Sequence, residues 1–195
     1  MNKIITPPPV NRANPSPMGL MTYGLPTFFL SLCNAGILHV GSAVVLVGFV
    51  FAGITQIIAG LLEYPLGDTF GMTAFISFGA FWITLSLLVG FPHSGIIPAS
   101  SGEEMGFYFG LWGTFCVALL ICTLRMTTAH QVLFSSLSIL FFLLAFKEFT
   151  GSHALGLIAG YEGMFSAASG MYLAVAEIFE SSFGQTILPI GKPKA

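Results

Sequence analysis

The chain has 195 residues, of which 55% are hydrophobic and only 7% are charged, and its formal net charge at pH 7 is −2. Because soluble domains carry about 25% charged residues, this composition excludes a soluble globular protein and predicts a protein embedded in a lipid bilayer. A total of six Lys and Arg residues is also too few for a nucleic-acid-binding surface.

The chain before the first apolar segment is rich in proline. Residues 1–17 are predicted to form an N-terminal tail, with a polyproline II conformation around its run of three prolines. Pro15 and Pro17 fix their φ angles and lack amide donors, so the backbone before Met18 is expected to be extended or turning. The side chain of Asn14 is positioned to cap this turn.

Long apolar segments predict six transmembrane helices, since each helix needs roughly 20 residues to cross the bilayer. They form an all-α polytopic membrane domain over residues 18–180, and residues 181–195 follow as a C-terminal tail. The fifth segment is shorter than the bilayer requires, so it must be extended by its flanks or lie partly in the interface. The predicted spans are 18–38, 40–62, 69–91, 105–124, 131–146 and 154–176.

Polar residues recur at helical spacing on the first three spans. A polar stripe in lipid must face protein or water, which leaves two interpretations open, a helix contact held by hydroxyl groups or the wall of a pore. The fold class that includes both is a six-helix bundle containing a pore. The predicted substrate pathway consists of Asn14, Thr27, Ser31, Asn34, Gln56, Thr73, Ser77 and Thr84.

Two carboxyl groups lie in or beside the predicted spans. Glu63 follows the second span and is expected at the membrane surface. Glu162 lies roughly 12 Å into the sixth span, where a charged carboxylate is costly. It is therefore expected to be protonated or internally hydrogen-bonded. Two roles remain open for Glu162, a proton-linked residue in transport or a locally bonded acid without a role in transport.

The residue types that enzymes use are present but not arranged for catalysis. The four histidines lie near span ends, and the three cysteines lie inside apolar segments as buried free thiols. None of the common nucleotide-binding, zinc-protease or nucleophile motifs occurs. We therefore predict that the chain is not an enzyme and uses no cofactor or metal.

Three motifs in order resemble the acetate uptake transporter family, also called the succinate–acetate permease family. Residues 14–20 (NPSPMGL) resemble its Asn-Pro-Ala-Pro-Leu-Gly-Leu hallmark, with differences at Ser16 and Met18. Residues 56–63 (QIIAGLLE) resemble its Gln-x-x-Ala-Gly-x-x-Glu segment, and residues 67–82 resemble its Gly-Asn-Thr-Phe-Gly…Phe-Trp run. The motif residues assigned a structural role are Pro15, Pro17, Gly19, Gly60 and Glu63.

This resemblance implies a channel or transporter for acetate and related small carboxylates, with succinate as a further candidate and a homo-hexamer as the assembly. It also implies a hydrophobic constriction formed by three spans. The family places Phe, Tyr and Leu there, and the matching positions here are Tyr23, Phe78 and Leu137. Tyr and Phe have exchanged places, so the single hydroxyl moves to the first span.

Alternatives remain open at this stage. A channel for a neutral solute such as urea or water would also need polar stripes, and a non-transporting membrane subunit would also need close helix packing. The sequence does not distinguish a passive channel from a proton symporter. Five of the six Lys and Arg residues fall on the side of the termini and only Lys147 on the other, which predicts a plasma (inner) membrane protein with both termini in the cytoplasm.

Overall fold

The computed structural model describes residues 12–95 and 98–191, except for the side chains of His93 and Ser94. Six long helices confirm the predicted all-α bundle, and the described residues contain no strand. The predicted conformation of residues 1–11 and the positions of Lys192 and Lys194 lie outside the described residues. The helices are α1 (Ser16–Asn34), α2 (Ser42–Leu66), α3 (Thr69–Gly90), α4 (Gly102–Thr123), α5 (Thr128–Thr150) and α6 (His153–Phe183).

Four of these helices, α2 to α5, are long and apolar enough to cross a membrane in the part of the chain that the structure describes. Helices α1 and α6 carry more polar residues, and they pack extensively against each other. Helix α6 has 31 residues and is therefore about 45 Å long, which exceeds the hydrocarbon core of a bilayer. The more polar helices thus shield part of their polar surface against one another rather than exposing it to lipid.

Helix α1 begins earlier than predicted, within the proline-rich motif. Pro15 is the N-cap residue with φ −82° and ψ −15°, a helical rather than an extended conformation, so the backbone before Met18 turns into the helix, the second of the two conformations predicted. Proline suits the first turn of a helix, because the amide that it lacks has no partner there. Asn14 does cap this turn, since its Oδ1 accepts a hydrogen bond from the Ser16 amide at 3.0 Å.

Helix α5 is longer than the uncharged segment from which it was predicted. It has 23 residues, from Thr128 to Thr150, so the short span is extended by its flanks. His130 lies in its first turn and Lys147 in its last. Polar groups at helix ends reach the interface while their stems stay in apolar surroundings. A helix can therefore include His130 and Lys147, whereas the predicted span stopped at these two residues and was too short.

Glycines set the close approach of neighbouring helices. A Cβ added at Gly79 on α3 would lie 2.8 Å from the carbonyl oxygen of Gly53 on α2, and one at Gly60 would lie 2.9 Å from the amide of Ile76. The segment Gly48–Thr55 within α2 is a π-helix. Helix α2 also anchors α1, because the Gln56 amide donates to the carbonyl oxygen of Gly19 at 3.2 Å.

Glycine also recurs at every fourth residue of α4, a spacing that predicts close helix packing within the bundle or between subunits. The structure places Gly102 and Gly106 against α5 of the same chain. A Cβ at Gly106 would lie 2.5 Å from the ring of Phe149, whereas a Cβ at Gly110 would meet nothing within 4 Å. The row therefore has an inner part that packs on α5 and an outer part that does not.

Replacing Gly106 by Leu should destabilise the bundle, because the new side chain would force α4 and α5 apart. Overpacking of this kind costs about 1–3 kcal/mol. Thermal unfolding of the detergent-solubilised protein measures the effect, and Gly110→Leu is the matched control because open space surrounds that position. Equal melting temperatures for the two variants would contradict the packing described here.

Candidate functional site

A cavity of about 210 Å³ lies between α1, α3 and α5, with the first turns of α4 on its remaining side. Because α1, α3 and α5 run in the same direction, residues later in each of them lie nearer one face of the bundle. The lining residues therefore define a deep end near the middle of the bundle and an open end at the face where α1, α3 and α5 terminate.

The deep end of the cavity is formed by the three residues that match the family's constriction. Tyr23 of α1, Phe78 of α3 and Leu137 of α5 all line it. Their exposed fractions are 6%, 4% and 4%. Each is the cavity-lining residue nearest the other face on its own helix, so the cavity ends at these three side chains.

Aromatic packing holds Phe78 in place. Its ring lies parallel to that of Phe141, with centroids 6.4 Å apart, and it also contacts Trp112 and Phe115 of α4. Phe81, one turn further along α3, packs edge-to-face on Phe141 at 5.1 Å. A wall with this many ring contacts is stiff, so one side of the constriction is fixed.

The α1 side of the cavity carries the polar stripe that the sequence predicted. Thr27, Ser31 and Asn34 all line the cavity. The Thr27 hydroxyl donates to the Tyr23 carbonyl oxygen at 2.6 Å, so it offers the cavity lone pairs rather than a proton. Asn34, at the end of α1, lies at the open end. This wall is polar but contains no charge.

The hydroxyl of Tyr23 points away from α1 into a buried chain of hydrogen bonds. It shares a hydrogen bond of 2.7 Å with the Ser166 hydroxyl on α6. Ser166 also accepts from the hydroxyl of Ser136 on α5 at 3.0 Å. All three side chains are buried. Three helices thus meet at one hydroxyl cluster beside the deep end of the cavity, and no pattern in the sequence predicts this cluster.

The open end of the cavity carries a charged pair that the sequence analysis did not assign to the pathway. Lys147 and Glu148 both line the cavity, and the Lys147 ammonium lies 2.6 Å from Glu148 Oε1. The sequence contains a pattern that points to them. Both residues continue the helical spacing that begins at Leu137 and includes Leu140 and Leu144.

Other residues predicted for the pathway do not line this cavity. Asn14 lies at the start of α1, where its amide donates to Glu177 at 3.1 Å. Gln56 is 1% exposed and contacts α1. Thr73 and Ser77 precede Phe78 on α3 and so lie towards the opposite side of the constriction. Thr84 is exposed on the outer face of α3, and its hydroxyl donates to Ala80 at 2.9 Å.

Glu63 lies near the end of α2 and is buried by protein, while its position at the membrane surface stays a prediction. Its exposed fraction is 2%, and its side chain packs where a Cβ on Gly71 would lie 3.1 Å from its Cγ. Its Oε1 atom is buried and makes no hydrogen bond within the residues that the structure describes. The helical end of α2 folds back onto the start of α3, and this contact covers the carboxyl group.

Glu162 lies outside the central cavity. It lines a shallow groove on the outer side of α5 and α6, together with Gln131, Ser135 and Ser136. Its Oε2 atom is buried and makes no hydrogen bond within the described residues, so the predicted internal hydrogen bond is not formed by this atom. Ser136 belongs both to this groove and to the hydroxyl cluster, and therefore links Glu162 to the surroundings of Tyr23.

Comparison with known proteins agrees with this architecture. Residues 1–191 match the GPR1/FUN34/yaaH family, and the chain belongs to this family of membrane proteins. It is 42% identical over 180 residues to the succinate-acetate/proton symporter SatP of Escherichia coli, covering 92% of this chain and 96% of that protein. The family resemblance predicted from the motifs is thereby confirmed.

Two further proteins bear on structure and substrate. The solved structure of the bacterial acetate channel SatP matches 93% of this chain and 100% of its own, with a TM-score of 0.91 and 42% identity. Ammonia transport outward protein 2 of Saccharomyces cerevisiae is 36% identical over 187 residues, covering 91% of this chain and 66% of that protein.

The hydroxyl cluster should couple α1 to α6 energetically. Ser166→Ala leaves both Tyr23 and Ser136 without this partner, and should destabilise the protein by about 1 kcal/mol or more. Tyr23→Phe should cost less, and the double variant should be more stable than the sum of the single effects predicts, by about 0.5–1 kcal/mol. Tyr161→Phe, at an exposed position, is the control in thermal unfolding. Strict additivity would rule out the coupling.

Proposed function

We propose that the protein is a membrane conduit for acetate and related small carboxylates, with succinate as a further candidate. The observation that carries this proposal is the cavity that ends at Tyr23, Phe78 and Leu137 in a chain 42% identical to a protein named as an acetate channel. A compact solute that sheds part of its hydration shell fits such a neck, whereas a hydrated ion does not.

The constriction acts as a hydrophobic gate in this proposal. Two aromatic rings and one leucine exclude water from the neck, which raises the cost of passing a hydrated ion. The hydroxyl of Tyr23 is held by Ser166 at 2.7 Å, so the ring edge rather than the hydroxyl faces the passing solute. Thr73 and Ser77, on the far side of Phe78, continue the pathway towards the other face.

The pathway binds its solute weakly along its length. Thr27, Ser31 and Asn34 offer polar contacts within the cavity, and no cation lies beside the constriction among the described residues. A tight anion site in the middle of the membrane would slow release. Distributed polar contacts therefore suit high flux better than high affinity.

Uptake of labelled acetate into proteoliposomes tests the function directly, against protein-free vesicles that report diffusion of the undissociated acid. The yeast relative named for ammonia transport favours a neutral solute as the second candidate, so ammonia and urea uptake are measured in the same vesicles. Acetate uptake above the protein-free rate supports the proposal. Ammonia or urea uptake without acetate uptake would favour a neutral-solute channel, and no uptake at all would favour a non-transporting subunit.

Replacing Leu137 by Ala should widen the neck. Lactate and succinate should then enter faster relative to acetate, because the smaller side chain removes part of the steric barrier. Leu133→Ala is the matched control, since Leu133 is a buried leucine of the same helix that does not line the cavity. An unchanged selectivity ratio in a folded Leu137→Ala protein would remove Leu137 from the gate.

Glu162 is proposed as a proton-linked residue. Its carboxyl group lines the groove beside Ser136, and Ser136 contacts Ser166 in the cluster that holds Tyr23. If protons are transferred there, Glu162→Gln should flatten the dependence of acetate uptake on an imposed pH gradient. Glu180→Gln, at an exposed acid near the end of α6, is the control. An unchanged pH profile would leave Glu162 with a structural role.

We further propose a homo-hexamer in the plasma (inner) membrane with both termini in the cytoplasm. The charge distribution supports this orientation, since Arg12 and Arg125 lie on the side of the termini and Lys147 on the other. The outer face of α4 supports contact with lipid or a neighbouring subunit, because Phe107 and Leu111 are 59% and 71% exposed. Each subunit would contain its own conduit, since the cavity lies within one chain.

A further inference from the structure

The open end of the cavity contains a Lys–Glu ion pair that lines the cavity wall, unlike an ion pair on the outer surface of the bundle. Lys147 lies in the last turn of α5, and its neighbour Glu148 lies beside it in the chain. Both side chains line the cavity, and their exposed fractions are 37% and 22%. They are therefore accessible to a solute at the mouth and are also continuous with the wall that leads to Leu137.

Lys147 changes the charge balance at the mouth. Helices α1, α3 and α5 end at this face and helices α2, α4 and α6 begin there, so the partial charges of the helix ends oppose one another. The acids Glu103 and Glu104 begin α4 at the same face. Within the described ranges, Lys147 is the one Lys or Arg side chain at this end of the bundle. An anion approaching the cavity therefore meets a single favourable charge.

The pair is held in place by its backbone and stem. A Cβ added at Gly102 would lie 2.8 Å from the Glu148 carbonyl oxygen, so the start of α4 packs directly on this turn. The Lys147 side chain passes along Gly156 of α6, whose added Cβ would lie 3.7 Å from Lys147 Cγ. The ammonium group thus projects from a supported position, and its ionic partner among the described residues is a carboxylate of the same chemistry as acetate.

We propose that Lys147 is the capture site for the substrate carboxylate at the mouth of the pathway, and that Glu148 occupies this site when substrate is absent. An incoming carboxylate replaces Glu148 on the ammonium group and then moves past Asn34 towards the constriction. This inference rests on the proposed function. It adds the residue that first binds the substrate and the end of the cavity at which the substrate enters.

The exchange is energetically easy in both directions. Ion pairs with exposed partners contribute little, because water and salt screen them. Replacing one carboxylate by another keeps Lys147 paired, and the released Glu148 carboxylate is then hydrated at the open end of the cavity. Glu148 then returns to Lys147 as the substrate leaves, which prevents the ammonium group from retaining the anion. A built-in competitor of this kind keeps the affinity low and the turnover fast.

Kinetics of labelled acetate uptake test this proposal in intact cells that lack their own acetate transporters and express the full chain. Lys147→Gln should raise the KM for acetate about fivefold while changing the maximal rate by less than about twofold. Glu148→Gln should lower the KM, because Lys147 is then free. Lys147→Arg should keep the wild-type KM for acetate. Uptake of a neutral solute such as acetamide should be the same in the wild-type protein and in Lys147→Gln.

Arg125→Gln provides the matched control, since Arg125 is an exposed cation in the turn between α4 and α5, at the opposite face of the bundle. If wild-type cells take up acetate and Lys147→Gln has the same KM, the capture site is overturned while the proposed function stands. An effect of Arg125→Gln in place of Lys147→Gln would overturn it as well. Failure of the wild-type protein to move acetate would instead overturn the proposed function itself, and the capture site with it.

Discussion

The close contact between α1 and α6 is the constraint on which the cavity depends. Glycines of α6 lie directly against α1, with Gly163 against the Ser31 hydroxyl and Gly170 against the ring of Tyr23. A larger residue at either position would push α1 towards α3 and fill the space between them. The contact also brings Ser166 within 2.7 Å of the Tyr23 hydroxyl. Helix spacing and side-chain orientation at the constriction are therefore set by the same interface.

Most hydroxyl groups in the described part of the bundle donate hydrogen bonds to carbonyl oxygens of their own helices. Thr27 donates to the carbonyl of residue 23, and Ser138 donates to the carbonyl of Phe134 at 2.7 Å. Their protons are thus committed to the backbone, and a passing carboxylate finds few free donors in the middle of the pathway. The Ser31 hydroxyl also lines the cavity, and the amide of Asn34 and the ammonium of Lys147 lie at the open end. A small number of donors within the pathway favours transit, whereas donors at the mouth favour capture.

The sequence predicted the number of helices and the family but not every boundary or orientation. Apolar segments are long and well separated, so six spans follow directly from composition. Periodicity places Thr73, Ser77 and Thr84 on related faces of α3, but it does not state which face turns inward, and Thr84 turns outward. The burial of Glu63 depends on how α2 meets α3, a tertiary contact that local sequence does not encode.

In the candidate site too, the sequence predicts some residues and does not predict others. Tyr23, Phe78 and Leu137 were found by matching motifs, and the structure brings all three to one end of a cavity. In the sequence, Lys147 bounds an apolar segment and therefore indicates orientation. The structure extends α5 to Thr150, which places Lys147 inside the helix and at the mouth of the cavity. Buried cluster residues such as Ser136 carry no sequence signal, since isolated serines are common in membrane helices.

The chain after α6 has a consequence for how the protein is made. The carbonyl of Ile190 accepts a hydrogen bond from the Ala129 amide at 2.9 Å, and the Tyr172 hydroxyl donates to the carbonyl of Pro189 at 2.8 Å. An amide in the first turn of α5 has no partner within its own helix. During synthesis it gains this partner only after all of α6 has left the ribosome and the following segment has folded back, and water satisfies it until then. The hydrogen bonding at the beginning of α5 is therefore completed by a segment that follows α6 in the chain.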